Sequence, residues 1–159
     1  MAETLGSLVD KLTIKEIRKF HLEEMLEIKN SKFSEDELDK KLQVLNKQIS
    51  DLNNEIDGFV IYALKNKGLQ IRDEKLKIYN AKDIIGKIGS VTKLGDAVSG
   101  VACKNLELWH LEDEARRKDV DLTYIGEIKR KIDVVNQHRN DFVDKIDELF
   151  ETLIKENNK

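Results

Sequence analysis

Leu42, Leu45, Ile49, Leu52, Ile56 and Val60 recur at intervals of three and four residues, and so do Ile132, Val135, Phe142, Ile146, Leu149 and Leu153. Residues so spaced share one face of an α-helix, so each set is an apolar stripe along a helix. The stripes predict helices over about 35–65 and 122–156. Two further stretches, 7–30 and 96–118, keep the helical period but turn polar midway. Their seams are Val9, Leu12, Glu16, Lys19/Phe20 and Glu23 in the first, and Val98, Val101, Asn105, Leu108/Trp109, Glu112 and Ala115/Arg116 in the second. Local signals mark the ends. Ser34 followed by Glu37 reads as a capping box, with Phe33 and Leu38 as its staple. Asp121 is placed to cap the last helix. Ser7 and Asp96, each just after a Leu-Gly pair, are the expected caps of the other two.

The chain also repeats itself. "LGSLVDKLTIKEIRKFHLEE" (5–24) aligns without gaps on "LGDAVSGVACKNLELWHLED" (94–113), and "KKLQVLNKQISDLNNEID" (40–57) on "RKIDVVNQHRNDFVDKID" (130–147), at nearly the same offset. The expected fold is therefore all-α: a four-helix bundle built from two pseudo-symmetric helical hairpins, about 5–65 and 94–156, in a single domain spanning 1–159. An irregular connection, 66–93, returns the chain as a short helix or an extended arm. Its Gly86-Lys-Ile-Gly89-Ser90 lacks the glycine spacing and the preceding strand of a phosphate loop.

Composition agrees with long helices. Of 159 residues, 37% are charged and none is proline, while the 40% that are hydrophobic suffice for a core. The net charge of −3, with both signs interspersed, leaves no basic footprint for nucleic acid. The longest apolar run, FVIYAL, is too short to span a membrane. The amphipathic, acidic opening does not read as a signal peptide, and one cysteine, Cys103, suits a reducing compartment. A cytoplasmic protein is expected.

The polar interruptions carry the candidate chemistry. Arg139 stands on the stripe where the first hairpin has Ile49, and a guanidinium there must find an acid or reach water. We expect an asymmetric polar layer of Glu16, Asn46, Asn105, Asn136 and Arg139, with Glu16 as the arginine's partner. Trp109, Glu112 and Arg116 then lie toward one mouth of the layer, Trp109 packing as Phe20 does in the first copy. These eight residues are the candidates for binding a protein partner or a small anionic ligand, since arginine suits anions. A second apolar stripe on the first helix, Ile14, Ile17, His21, Met25 and Ile28, needs a cover from the 66–93 segment or another subunit, and a homodimer through this helix is expected.

An enzymatic alternative starts from Glu107 and His110, the Glu-x-x-His pair of di-iron helical bundles. Arg18 occupies the position where the first copy would repeat that glutamate. Glu16, Glu23, Glu107, His110 and Glu112 remain as a carboxylate-rich set for a divalent metal, which would make a metal-dependent phosphohydrolase or oxidase. Cys103 and His110 lie about 10 Å apart on one helix, too far for a hydrolytic pair. A non-enzymatic binding or accessory protein without a cofactor is the reading preferred, and no catalytic residue is assigned.

"NLELWHLEDEARRKD" (105–119) followed by "IKRKIDVVNQHRNDFVDKID" (128–147) resembles the bacterial domain-of-unknown-function family 4254. Asn105, Trp109-His110, Glu112-Asp113, Arg116, Lys129-Arg130, Ile132-Asp133, Asn136-Gln137, Arg139-Asn140-Asp141 and Ile146-Asp147 carry the likeness, which covers the C-terminal third to half of the chain. The resemblance implies an all-helical protein whose genes often sit near those of cell-surface polysaccharide glycosyltransferases. It implies no activity or catalytic residue.

Overall fold

A computed structural model describes residues 3–28, 32–67 and 88–159. Four helices account for most of them: α1 (Leu5–Glu27), α2 (Glu35–Lys65), α3 (Leu94–Ala115) and α4 (Leu122–Asn157). There is no strand among the described residues. The expected four-helix bundle is what forms. Most of the 66–93 connection, residues 68–87, lies outside the described residues.

Helix directions follow from which residues meet. Lys15 reaches Gln48 at 2.8 Å, and Met25 shares a cleft with Lys41, so α1 and α2 are antiparallel. Gly6 meets Asp147 and Asp10 approaches Arg139, so α1 is also antiparallel to α4. Asn105 meets Asp10, and Trp109, further along α3, meets His21, further along α1. Those two helices run in the same sense. α1 thus packs on α2, α3 and α4 alike and joins the two hairpins.

The termini correct two of the expected caps. α1 begins at Leu5, capped by Thr4, whose hydroxyl accepts the Ser7 amide at 3.2 Å. α3 begins at Leu94 behind Lys93, which makes no side-chain cap. The Leu-Gly pairs therefore lie inside the helices, and Ser7 and Asp96 fall in first turns. Asp96 complements the helix dipole there without capping it. α1 and α3 also stop a turn short of expectation, at Glu27 and Ala115. Ser34 and Glu37 form the full capping box, and Asp121 caps α4 by accepting from the Tyr124 amide at 2.8 Å.

One close approach sets α1 against α4. The Gly6 amide donates to the Asp147 carboxylate at 2.7 Å, placing negative charge at the start of α1, where the helix dipole favours it. A methyl group at Gly6 would run into the Val143 carbonyl, so glycine lets the two backbones close up.

The core comes in two pieces. Leu5, Leu8, Phe59, Ala97, Val101, Val143 and Ile146 form one cluster with residues from all four helices. Leu108, Ile128, Ile132 and Val135 form the other, inside the α3–α4 hairpin. Between them α3 runs from Val101 through Asn105 to Leu108, and α4 from Val135 through Arg139 to Val143. The apolar interior is interrupted at one level by polar residues on both helices.

The expected α1 seam is not the one buried. Glu16 and Glu23 are exposed and Phe20 is 58% exposed, so Phe20 does not pack as Trp109 does. The face turned toward α3 instead carries Asp10, Thr13, Ile14, Arg18 and His21. A helix that serves three neighbours has no single inward seam, which is why its period alone pointed to the wrong face.

Candidate functional site: a cleft at the break in the core

Asn105 is the anchor of the polar layer. It is buried, and its amide nitrogen donates to the Asp10 carboxylate at 2.7 Å and to the Thr13 hydroxyl at 2.8 Å. Two good hydrogen bonds offset the desolvation that burying an amide incurs. They also fix Asp10, whose other neighbour is Arg139. The guanidinium Nε lies 3.9 Å from the Asp10 carboxylate: an ion pair, but too long for a hydrogen bond. Among the described residues that buried Nε has no hydrogen-bond acceptor, and the arginine's far end reaches only the Asn140 side chain, at 3.4 Å.

Beside this group a cleft of about 300 Å³ opens between α1, α3 and α4. Arg18, Asn105, Trp109, Arg116 and Arg139 line it, with Ile14 and Leu108 below and Glu112 and Asp113 at its edge. Three arginines face two acids, and one acid has a cation from outside the lining while the other pairs with Arg116 itself. Glu112 lies 3.8 Å from Lys129, and Asp113 lies 3.3 Å from Arg116. Arg18 has no carboxylate partner among the described residues, and Arg139 is held at arm's length from its own. The cleft has unspent positive charge.

Trp109 forms the wall toward α1. Its ring stacks on His21 with centroids 4.6 Å apart and planes 9° from parallel. His21 Nδ1 meets Glu24 at 2.8 Å, whereas its Nε2 is buried without a hydrogen-bond partner. The stack ties α3 to α1 and fixes the width of the cleft there.

The α3–α4 turn is rigid behind it. Arg117 bridges Glu114 and Asp119, and the Tyr124 hydroxyl donates to Glu114 at 2.7 Å. That hydroxyl, then Arg117, holds the Glu114 carboxyl below its ordinary range, and Arg117 does the same for Asp119. Arg117 is thereby spent on the turn, and Arg116, paired with Asp113, is the arginine that lines the cleft.

Of the eight candidates, Asn105, Trp109, Glu112, Arg116 and Arg139 come together here. Glu16 and Asn46 are exposed and stand away from it, and Asn136 is half-buried without lining it. The acid beside Arg139 is Asp10, not Glu16. Asp10, Thr13, Ile14 and Arg18 were missed in the sequence as members of the site. The repeat held a usable signal, because Asp10 aligns on Ser99 and Arg18 on Glu107, so the charge differs between the copies at both places.

The model of the family described as "Protein of unknown function (DUF4254)" matches residues 1–67 and 97–159. The chain belongs to this family. No curated protein and no solved structure matches it. Every residue lining the cleft of this DUF4254 member falls within the matched segments, which pass over residues 68–96.

The alternative metal set does not assemble. Among the described residues no three His, Cys, Asp or Glu side chains converge as metal ligands. Glu16 and Glu23 are on exposed positions of α1, Glu107 pairs with Lys104 at 2.7 Å, Glu112 faces Lys129, and His110 is exposed. Helical spacing put Glu107 and His110 on adjacent turns, but that face of α3 is turned to solvent. The α1 stripe read as a dimer contact also divides. Ile14 and His21 face α3, while Met25 and Ile28 are exposed. No helix among the described residues is long and apolar enough to cross a membrane.

Proposed function

We propose that this protein is a non-enzymatic binding protein whose α1–α3–α4 cleft takes a small anion of the phosphate class. The observation that carries the reading is Arg139: a guanidinium set into the break between two apolar clusters, with one buried N–H unsatisfied and its acid too far away to bond it. A buried donor without an acceptor is costly, and an anion in the cleft supplies one. Arg18 and Arg116 on the opposite walls add two planar donors that suit the oxygens of a phosphate. A 300 Å³ cleft has the size of a small-molecule site.

Calorimetric titration with inorganic phosphate and pyrophosphate tests this. Saturable one-to-one binding is expected, weakened roughly tenfold or more by Arg139→Gln and by Arg18→Gln. Equal affinity in the three proteins, or no binding to the wild type, overturns the reading.

A further inference from the structure

A second cleft, of about 380 Å³, lies next to the first, between α1 and α2. It shares two walls with the first, Arg18 and Trp109. Its character is different. Leu22, Met25, Val44 and Leu45 give it an apolar floor, and Lys15, Arg18 and Lys41 are the charged residues around it. No acid lines it. Val44 is 59% exposed and Met25 39%, so the apolar groove opens to water rather than closing into the core.

From these two clefts we infer that the ligand is an amphiphile: an anionic head held by Arg139, Arg18 and Arg116, with an apolar chain laid along Leu22, Met25, Val44 and Leu45. The inference rests on the anion-binding reading of the first cleft and adds the substrate class. Charge complementarity selects the occupant. A groove rimmed by three cations and free of acids favours an anion-bearing guest, and its floor rewards methylenes rather than polar groups. The combined dimensions are those of a small-molecule site. Arg18 is at the junction, without a carboxylate partner among the described residues, where the head of such a molecule meets its chain. Lys15 is held by Gln48 at 2.8 Å and Lys41 lies over the Phe33 ring, so Arg18 is the cation that both clefts can use.

The chain's single tryptophan is Trp109, so its fluorescence reports on the shared wall and on nothing else. Titrations with inorganic phosphate, octyl phosphate, octanol and an acidic amphipathic peptide, all below micelle-forming concentrations, test the inference. Octyl phosphate is expected to bind more tightly than phosphate by roughly tenfold for every two methylenes buried. Val44→Asp, at an exposed position that leaves the core intact, is expected to remove that gain while phosphate affinity stays at the wild-type value. Circular dichroism confirms that the variant is folded, and Met25→Asp repeats the test from the α1 side.

Phosphate binding with no gain from the octyl chain overturns the amphiphile and leaves the anion site standing. Octanol binding as tightly as octyl phosphate, or the peptide outcompeting it, also overturns the inference, in favour of a plain apolar groove or a protein partner. Failure of phosphate and octyl phosphate alike overturns both readings.

Discussion

Arg139, Asn105 and Asp10 make the account at the scale of single residues. Asn105 and Arg139 were legible in the sequence because each is polar at a position where the helical period demands an apolar residue. Their partner was not legible. Glu16 and Asp10 lie on the same helix, and only the rotation of α1 against α3 and α4 decides which of them faces inward. That rotation is set by the Gly6–Val143 approach and by the Asn105 hydrogen bonds, contacts far apart in the chain. A double-mutant cycle on Asp10 and Arg139 follows. Asp10→Asn leaves the guanidinium without a counter-charge, and Arg139→Leu leaves the carboxylate with the Asn105 amide. Urea denaturation should give a coupling energy of about 0.5–3 kcal/mol between the two changes. The same cycle with Glu16→Gln in place of Asp10→Asn should give none.

At the scale of helices, the local signals were reliable where the side chain makes its own contact and misleading where it does not. Ser34 with Glu37 specifies a helix start by chemistry contained in four residues, and it forms as read. Ser7 and Asp96 have the right residue type, but the helix begins earlier in both places, because Thr4 takes the cap of α1 and α3 starts without one. The proposal that the hairpins are two copies of one unit draws support from α1 and α3 both opening on Leu-Gly. The two hairpins pack differently, since Gly6 presses on α4 while a methyl at Gly95 would meet nothing among the described residues.

The capping box also sets a pH dependence. The Ser34 amide, then its hydroxyl, holds the Glu37 carboxyl below its ordinary value of 4.5. A carboxyl depressed in the folded state stabilises the fold above its unfolded pKa and loses that contribution as pH falls through the lower, folded value. Ser34→Ala is expected to cost about 1 kcal/mol at pH 7, because it removes the hydroxyl that accepts the Glu37 amide. The gap from wild type should narrow below pH 4.5, as Glu37 protonates in both proteins. A gap that stays constant into acid would show that the Ser34 hydroxyl does not help to hold the Glu37 carboxylate.

At the scale of the whole molecule, α1 is the organising element. It closes the first hairpin with α2, places Asp10 and Arg18 against α3 and α4, and lines both clefts. The all-helical bundle was readable because four stretches of the right period leave little alternative. The cleft itself was half readable. Residues on α3 and α4 gather as their stripes require, because those two helices face each other along their length. Residues on α1 and α2 do not, since α1 divides its faces among three partners and α2 meets mainly α1. Asn46 is exposed for this reason: its stripe flank has no helix opposite it.

The central claim is that the break in the core exists to hold an anion against Arg139. A crystal structure of the protein grown with tungstate, a heavy anion with phosphate-like oxygens, locates that anion directly. We expect it between Arg139, Arg18 and Arg116, with an oxygen within hydrogen-bonding distance of the Arg139 guanidinium. A cleft that stays empty while tungstate occupies other cationic surfaces, or an Arg139 that closes onto Asp10 with every N–H satisfied, would contradict the account.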